Sequence, residues 1–86
     1  MNPAEPAFGA APSLVLYTVY RFPLDYPNNW IVRPFVVKQY VPDPIPQRIV
    51  CICDSLHDAR LGLQGLGLYR IKRQADDDLP IVETWL

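Results

Sequence analysis

The sequence predicts an α+β domain in the order β-β-β-α-β-β, a mostly antiparallel sheet with one short helix packed on one face. Three observations predict it. Runs rich in β-branched and aromatic residues recur at 14–22, 30–40, 48–53, 68–73 and 81–86. A single segment, opening at Ser55, carries helical spacing behind a good N-cap. The chain has 86 residues, enough for one domain.

Residues 1–12 hold three of the ten prolines and no hydrophobic period. They read as a flexible Pro/Ala-rich tail that Phe8 could pin loosely, which leaves 13–86 as the folded domain. Residues 14–22, Leu-Val-Leu-Tyr-Thr-Val-Tyr-Arg-Phe, form the clearest strand, and Pro23 ends it. Two prolines and an Asn pair make 23–29 a loop.

Residues 30–40 form the second strand. Pro34 lies inside it and cannot donate a ladder hydrogen bond, which calls for a sheet edge or a bulge there. Pro42, Pro44 and Pro46 predict an extended, polyproline-like connection. Residues 48–53, Arg-Ile-Val-Cys-Ile-Cys, run apolar on both parities, the pattern of a central strand covered on both faces.

The helix starts after Asp54 or Ser55, with Asp58 three residues beyond Ser55 as a weak capping box. Leu56, Ala59 and Leu63 share a face, and Gly62, Gly65 and Gly67 stop the helix within two to three turns. A helix this short needs its Leu face docked on the sheet. Residues 68–73 and 81–86 then pair as a hairpin around an acidic turn, Asp76-Asp77-Asp78.

Composition narrows the function. Half the residues are apolar and a fifth charged, which is globular composition. Eight basic residues face nine acidic ones, and setting aside Glu5 in the tail leaves eight of each sign. A nucleic-acid partner is therefore not expected, and near-neutrality favours self-association. There is no signal-peptide pattern and no run near the ~20 apolar residues of a membrane span, so no membrane partner and a cytoplasmic location are expected. Two cysteines make no secreted disulfide framework.

Candidate chemistry is sparse. Cys51 and Cys53 share a strand face, with Asp54 and His57 just downstream. Zinc wants four ligands, and the chain holds no other Cys or His, so the pair reads as small buried hydrophobes and no metal or cofactor is expected. His57, near the helix start, reads as a solvated side chain, and the acidic turn lacks the loop that holds calcium. The glycines follow a helix and do not precede one, so they make no phosphate-binding loop. Arg33, Lys38, Arg70, Lys72 and Arg73 could form a basic face, with Tyr40 and Tyr69 to stack on bases, and a nucleic-acid accessory protein is the third reading this leaves. No catalytic residue is expected.

Aromatics crowd residues 17–40. Core packing accounts for many of them, but one short helix can cover only one sheet face. The uncovered face, or a sheet edge, then becomes an interaction surface, either for a second copy of the chain or for another protein. The ligand-binding or interface residues expected are Asp25, Tyr26, Trp30, Arg33 and Arg70. A small-ligand site or small enzyme would draw Asp25, Tyr26, Arg33, His57 and Arg70 into a pocket beside the 23–29 loop.

The run from Tyr17 through Pro23, Asp25, Tyr26 and Pro27 to Arg33 resembles the opening of small uncharacterised bacterial proteins that carry a Tyr-x-x-x-x-Pro-x-Asp-Tyr-Pro segment. The likeness continues at Asp54-Ser55-Leu56, Ala59-Arg60, Gly67-Leu68-Tyr69-Arg70 and Glu83-Thr84-Trp85-Leu86, and would cover 17–86. It implies no activity, cofactor or catalytic residue.

Overall fold

The computed structural model describes residues 13–74, 77 and 79–86. The tail expected at 1–12 lies outside the described residues, as do Asp76 and Asp78 of the acidic turn. The described elements are β1 (Ser13–Arg21), β2 (Trp30–Lys38), β3 (Ile45–Pro46), β4 (Cys51–Cys53), α1 (Leu56–Gln64), β5 (Arg70–Lys72) and β6 (Ile81–Trp85). Every strand pairing is antiparallel, in the order β3-β2-β1-β6-β5, with β4 also on β2. The α+β fold with one helix on a mostly antiparallel sheet is the one the strand and helix patterns predict.

β1 and β2 make the backbone of the sheet, paired over nine residues from Ser13 with Lys38 to Arg21 with Trp30. Their β-branched and aromatic composition suits this long, half-buried ladder. On its other side β2 meets β4 at 30–32 and β3 at 35–36. Pro34 falls in the gap between them, where its carbonyl accepts from the Gln47 N–H at 2.8 Å. The missing Pro34 donor thus faces an interrupted partner. No bulge forms at Pro34 itself; the register shift of the sheet lies between Val19 and Tyr20, against β6.

Two expectations change. The 42–46 connection is not all loop, because Ile45 and Pro46 form β3. β4 is not a central strand. Among the described residues it pairs with β2 alone, and Val50 and Ile52 are 60% and 54% exposed. An apolar run on both parities looks the same whether helix and sheet cover both its faces or an edge leaves one open.

The chain direction dictates the crossover. Counting antiparallel steps from β4 through β2, β1 and β6 to β5 makes β4 and β5 parallel, on opposite sides of the sheet. Parallel strands cannot be joined by a tight turn, so α1 carries the chain across one face. Ser55 caps it, its Oγ accepting the Asp58 N–H at 3.1 Å. Gly67, at φ +75°, turns the chain toward β5.

The core lies under α1. Ala59 and Leu63 bury against Val19, Val32, Cys53 and Trp85, with Tyr17, Trp30, Cys51, Leu56 and Leu68 packed around them. Burying a side chain the size of Leu63 stabilises by roughly 1.5–3 kcal/mol. Without that docking a nine-residue helix would not persist in water.

Candidate functional site

Register sorts the side chains onto two faces. Val19, Val32, Cys51, Cys53, Glu83 and Trp85 align on the α1 face. Leu14, Leu16, Thr18, Tyr20, Ile31, Arg33, Phe35, Val37, Ile52, Ile71 and Thr84 align on the other. Arg33 is the one charged residue among these positions of the open face.

The open face is apolar and shaped. Leu16, Thr18, Tyr20, Phe35, Ile81 and Thr84 line a cavity of about 260 Å³ between Pro44 and Asp77. Leu14, Ile52 and Ile71 are exposed around it. Toward the 23–29 loop the face closes. Tyr20, Pro23, Asp25, Ile31 and Arg33 border a hollow of about 170 Å³, and Ile31 there is only 2% exposed. The loop is tied down by paired turns, with the Phe22 N–H donating to the Asn29 carbonyl at 3.0 Å and the Tyr26 N–H to the Pro23 carbonyl at 2.9 Å.

A larger cleft of about 520 Å³ follows the β4 edge, lined by Tyr26, Arg33, Arg48 and residues 49–52. Arg33 spans both hollows, and its Nη1 donates to the Gln47 carbonyl at 2.7 Å. Of the residues expected there, Asp25 and Arg33 border one hollow and Tyr26 and Arg33 the other. Trp30 and Arg70 do not join them. Trp30 aligns with Cys53 on the α1 face and packs against Phe22, ring centroids 5.6 Å apart, with the Arg21 guanidinium over both rings. Arg70 aligns with Trp85 at the far margin of the sheet. His57 is exposed at the start of α1. The basic face expected from Arg33, Arg70 and Lys72 is likewise split between the two faces.

Sequence reasoning missed the polar cluster under α1. Glu83 is 3% exposed. Arg60 reaches down from α1, its Nη2 2.7 Å from Glu83 Oε1 and its Nε 3.1 Å from Oε2. Trp85 Nε1 donates to Oε2 at 2.7 Å, and Arg70 Nη1 stands 4.0 Å from Oε1. Burial pushes the Glu83 carboxyl up, but the hydrogen bonds from Arg60 and Trp85 and the charges of Arg60 and Arg70 together outweigh it and hold the carboxyl below its ordinary value. The hydrogen bond to Glu83 raises the Arg60 guanidinium in turn. The signal was present, since Glu83 and Trp85 share a strand face at i and i+2. The cluster is saturated, and among the described residues no buried side-chain nitrogen or oxygen lacks a hydrogen-bond partner. Its role is to fasten α1 to β6.

Cys51 and Cys53 are joined in a disulfide, so they are not the separate buried thiols expected. The loop they close spans two residues, and on chain-entropy grounds such a cross-link stabilises by only about 1.5 kcal/mol. Among the described residues no group of three or more His, Cys, Asp or Glu could hold a metal ion. None of their helices is long and apolar enough to cross a membrane.

No family model, no curated protein and no solved structure matches this chain. The functional reading rests on the geometry alone.

Proposed function

We propose that this chain is a non-enzymatic interaction module that self-associates through the sheet face turned away from α1. One observation carries the reading: the register positions of that face are mostly apolar, with Arg33 the one charged residue among them and Asp25 and Asp77 at the margins, while α1 packs on the opposite face. A sheet needs both faces covered to hide its apolar side chains, and α1 serves only one.

A second copy is the occupant that fits. β1 and β2 run nine residues, about 30 Å, and five strand positions span about 19 Å; because β6, β5 and β3 are shorter, about 570 Å² is the upper bound of the footprint, somewhat below the ~800 Å² each partner buries in a standard interface. The formal net charge is −1, so two copies meet with little repulsion. Face-to-face packing of two such sheets, about 10 Å apart, is the ordinary β-sandwich solution. A cytoplasmic setting, expected from the sequence, accords with this reading.

Sedimentation velocity over a concentration series tests it. Wild type forms a dimer, and Leu14→Glu, at an exposed position of the face, shifts the series to monomer without changing the far-UV spectrum. A wild-type chain that stays monomeric at millimolar concentration would contradict the proposal.

A small-ligand reading is favoured by a different observation, two hollows that share Arg33, one bordered by Asp25 and the other by Tyr26. Titration with small dicarboxylates, monitored at the amide signals of residues 25, 26 and 33, would support it by saturable shifts there and exclude that ligand class by none.

A further inference from the structure

We propose that Cys51–Cys53 is a thiol–disulfide exchange site, with Cys51 as the sulfur attacked and a small carboxylate-bearing thiol as co-substrate. Four observations lead there. The bond joins residues two apart, so it closes almost no chain and holds no distant elements together. The helix is fastened to the sheet by other means, the core around Leu63 and the Arg60–Glu83 pair. The two sulfurs are unequal, because Cys53 is 7% exposed within the core cluster while Cys51 is half-buried. Cys51 lines two hollows, one on its own α1 face and one along the free edge of β4. An apolar cavity of about 200 Å³ lies between it and Gly62, Leu63 and Leu66, and the Arg33–Arg48 cleft lies along the edge.

Exchange rates depend on access and on which sulfur is attacked. A thiolate entering along the β4 edge meets Cys51 first. Its sulfur forms a bond to Cys51 Sγ, the Cys51–Cys53 bond breaks, and the electron pair leaves on Cys53 Sγ, which takes a proton from water. A second thiolate attacks the external sulfur of the mixed disulfide, forming the oxidised co-substrate and releasing Cys51 as a thiolate that is then protonated. Net, two thiols become one disulfide, and the protein disulfide becomes a dithiol by two electrons and two protons. Cys53 tolerates the reduced state, since a buried thiol packs as a small hydrophobe. Arg33 and Arg48 supply the positive field that draws carboxylates to the cleft.

Glutathione is the probe. Reduced glutathione converts the folded wild-type protein to the dithiol, read by alkylation and intact mass with the far-UV spectrum unchanged. With oxidised glutathione, Cys53→Ser takes one adduct on Cys51 at least about tenfold faster than Cys51→Ser takes one on Cys53. Arg48→Ala slows the wild-type reaction with glutathione but leaves that with neutral 2-mercaptoethanol unchanged. Where a serine variant fails to fold, peptide mapping of partly alkylated, reduced wild type substitutes, with Cys51 labelled first. Equal reactivity of the two sulfurs, or a disulfide that resists thiol until the chain unfolds, would overturn the exchange site. An equal Arg48→Ala effect on both thiols, or none on glutathione, would overturn the choice of co-substrate.

Discussion

Glu83 and Trp85 stand two residues apart on β6, and the indole Nε1 donates to Glu83 Oε2 at 2.7 Å beneath α1. Arg60 completes the arrangement from the helix above. A carboxylate taken out of water costs free energy unless charge and hydrogen bonds replace the solvent, and here three donors do so. Removing one partner is then worse than removing both.

The Arg60–Glu83 pair is expected to show this in a double-mutant cycle. Arg60→Ala strands the carboxylate with Trp85 and the more distant Arg70, and is expected to cost about 2 kcal/mol, reduced from the fully buried case because Arg60 is 35% exposed. Arg60→Ala with Glu83→Gln is expected to cost less than the sum of the two single changes. Urea denaturation at neutral pH measures all four states, and strict additivity would contradict the coupling.

Acid stability is expected to depend on Glu83. Its folded carboxyl titrates below the ordinary value near 4.5. A depressed folded value means that the unfolded chain binds the proton first as pH falls. The contribution is therefore complete above pH 4.5 and is lost as pH drops through the folded value. Denaturant midpoints from pH 7 to pH 3 should fall less steeply below pH 4.5 in Glu83→Gln than in wild type. Parallel profiles would rule the group out as a source of acid sensitivity.

Leu63 and His57 lie on α1 with opposite surroundings, buried and exposed. Leu63→Ala should destabilise by about 3 kcal/mol through lost burial and the cavity left behind. His57→Ala should stay within about 0.5 kcal/mol of wild type. A large loss on His57→Ala would show a contact absent from this fold.

Reducing Cys51–Cys53 should lower stability by no more than about 2 kcal/mol, the scale set by a two-residue loop. Thermal melts with and without reductant check this, and global unfolding on reduction would mean that the bond is structural.

Much of the fold was legible because its signals are local. β1 announces itself by β-branched and aromatic density, Ser55 by its cap, and the α1 face by the spacing of Leu56, Ala59 and Leu63. Pro34 foretold a pairing defect, though whether as an edge, a bulge or a gap depended on where β3 and β4 ended. The sequence of β4 points to the centre of the sheet because apolar parity does not say what covers a strand. Of the candidate site, Asp25 and Tyr26 each line a hollow shared with Arg33, beside a 23–29 loop held by its own turns. Trp30 and Arg70 part from them through strand register, which composition does not encode. Glu83 was overlooked because a lone acid on an edge-like strand ordinarily faces water, and its partner comes from α1, 23 residues earlier.

The central claim is that the sheet face away from α1 docks against a second copy. Methyl-detected NMR over a dilution series reads that face residue by residue. The account predicts concentration-dependent shifts at Leu16, Val37, Ile52 and Ile81, with Leu63 and Val19 under the helix unmoved. Shifts confined to the helix side, or spectra that do not change with concentration, would contradict it.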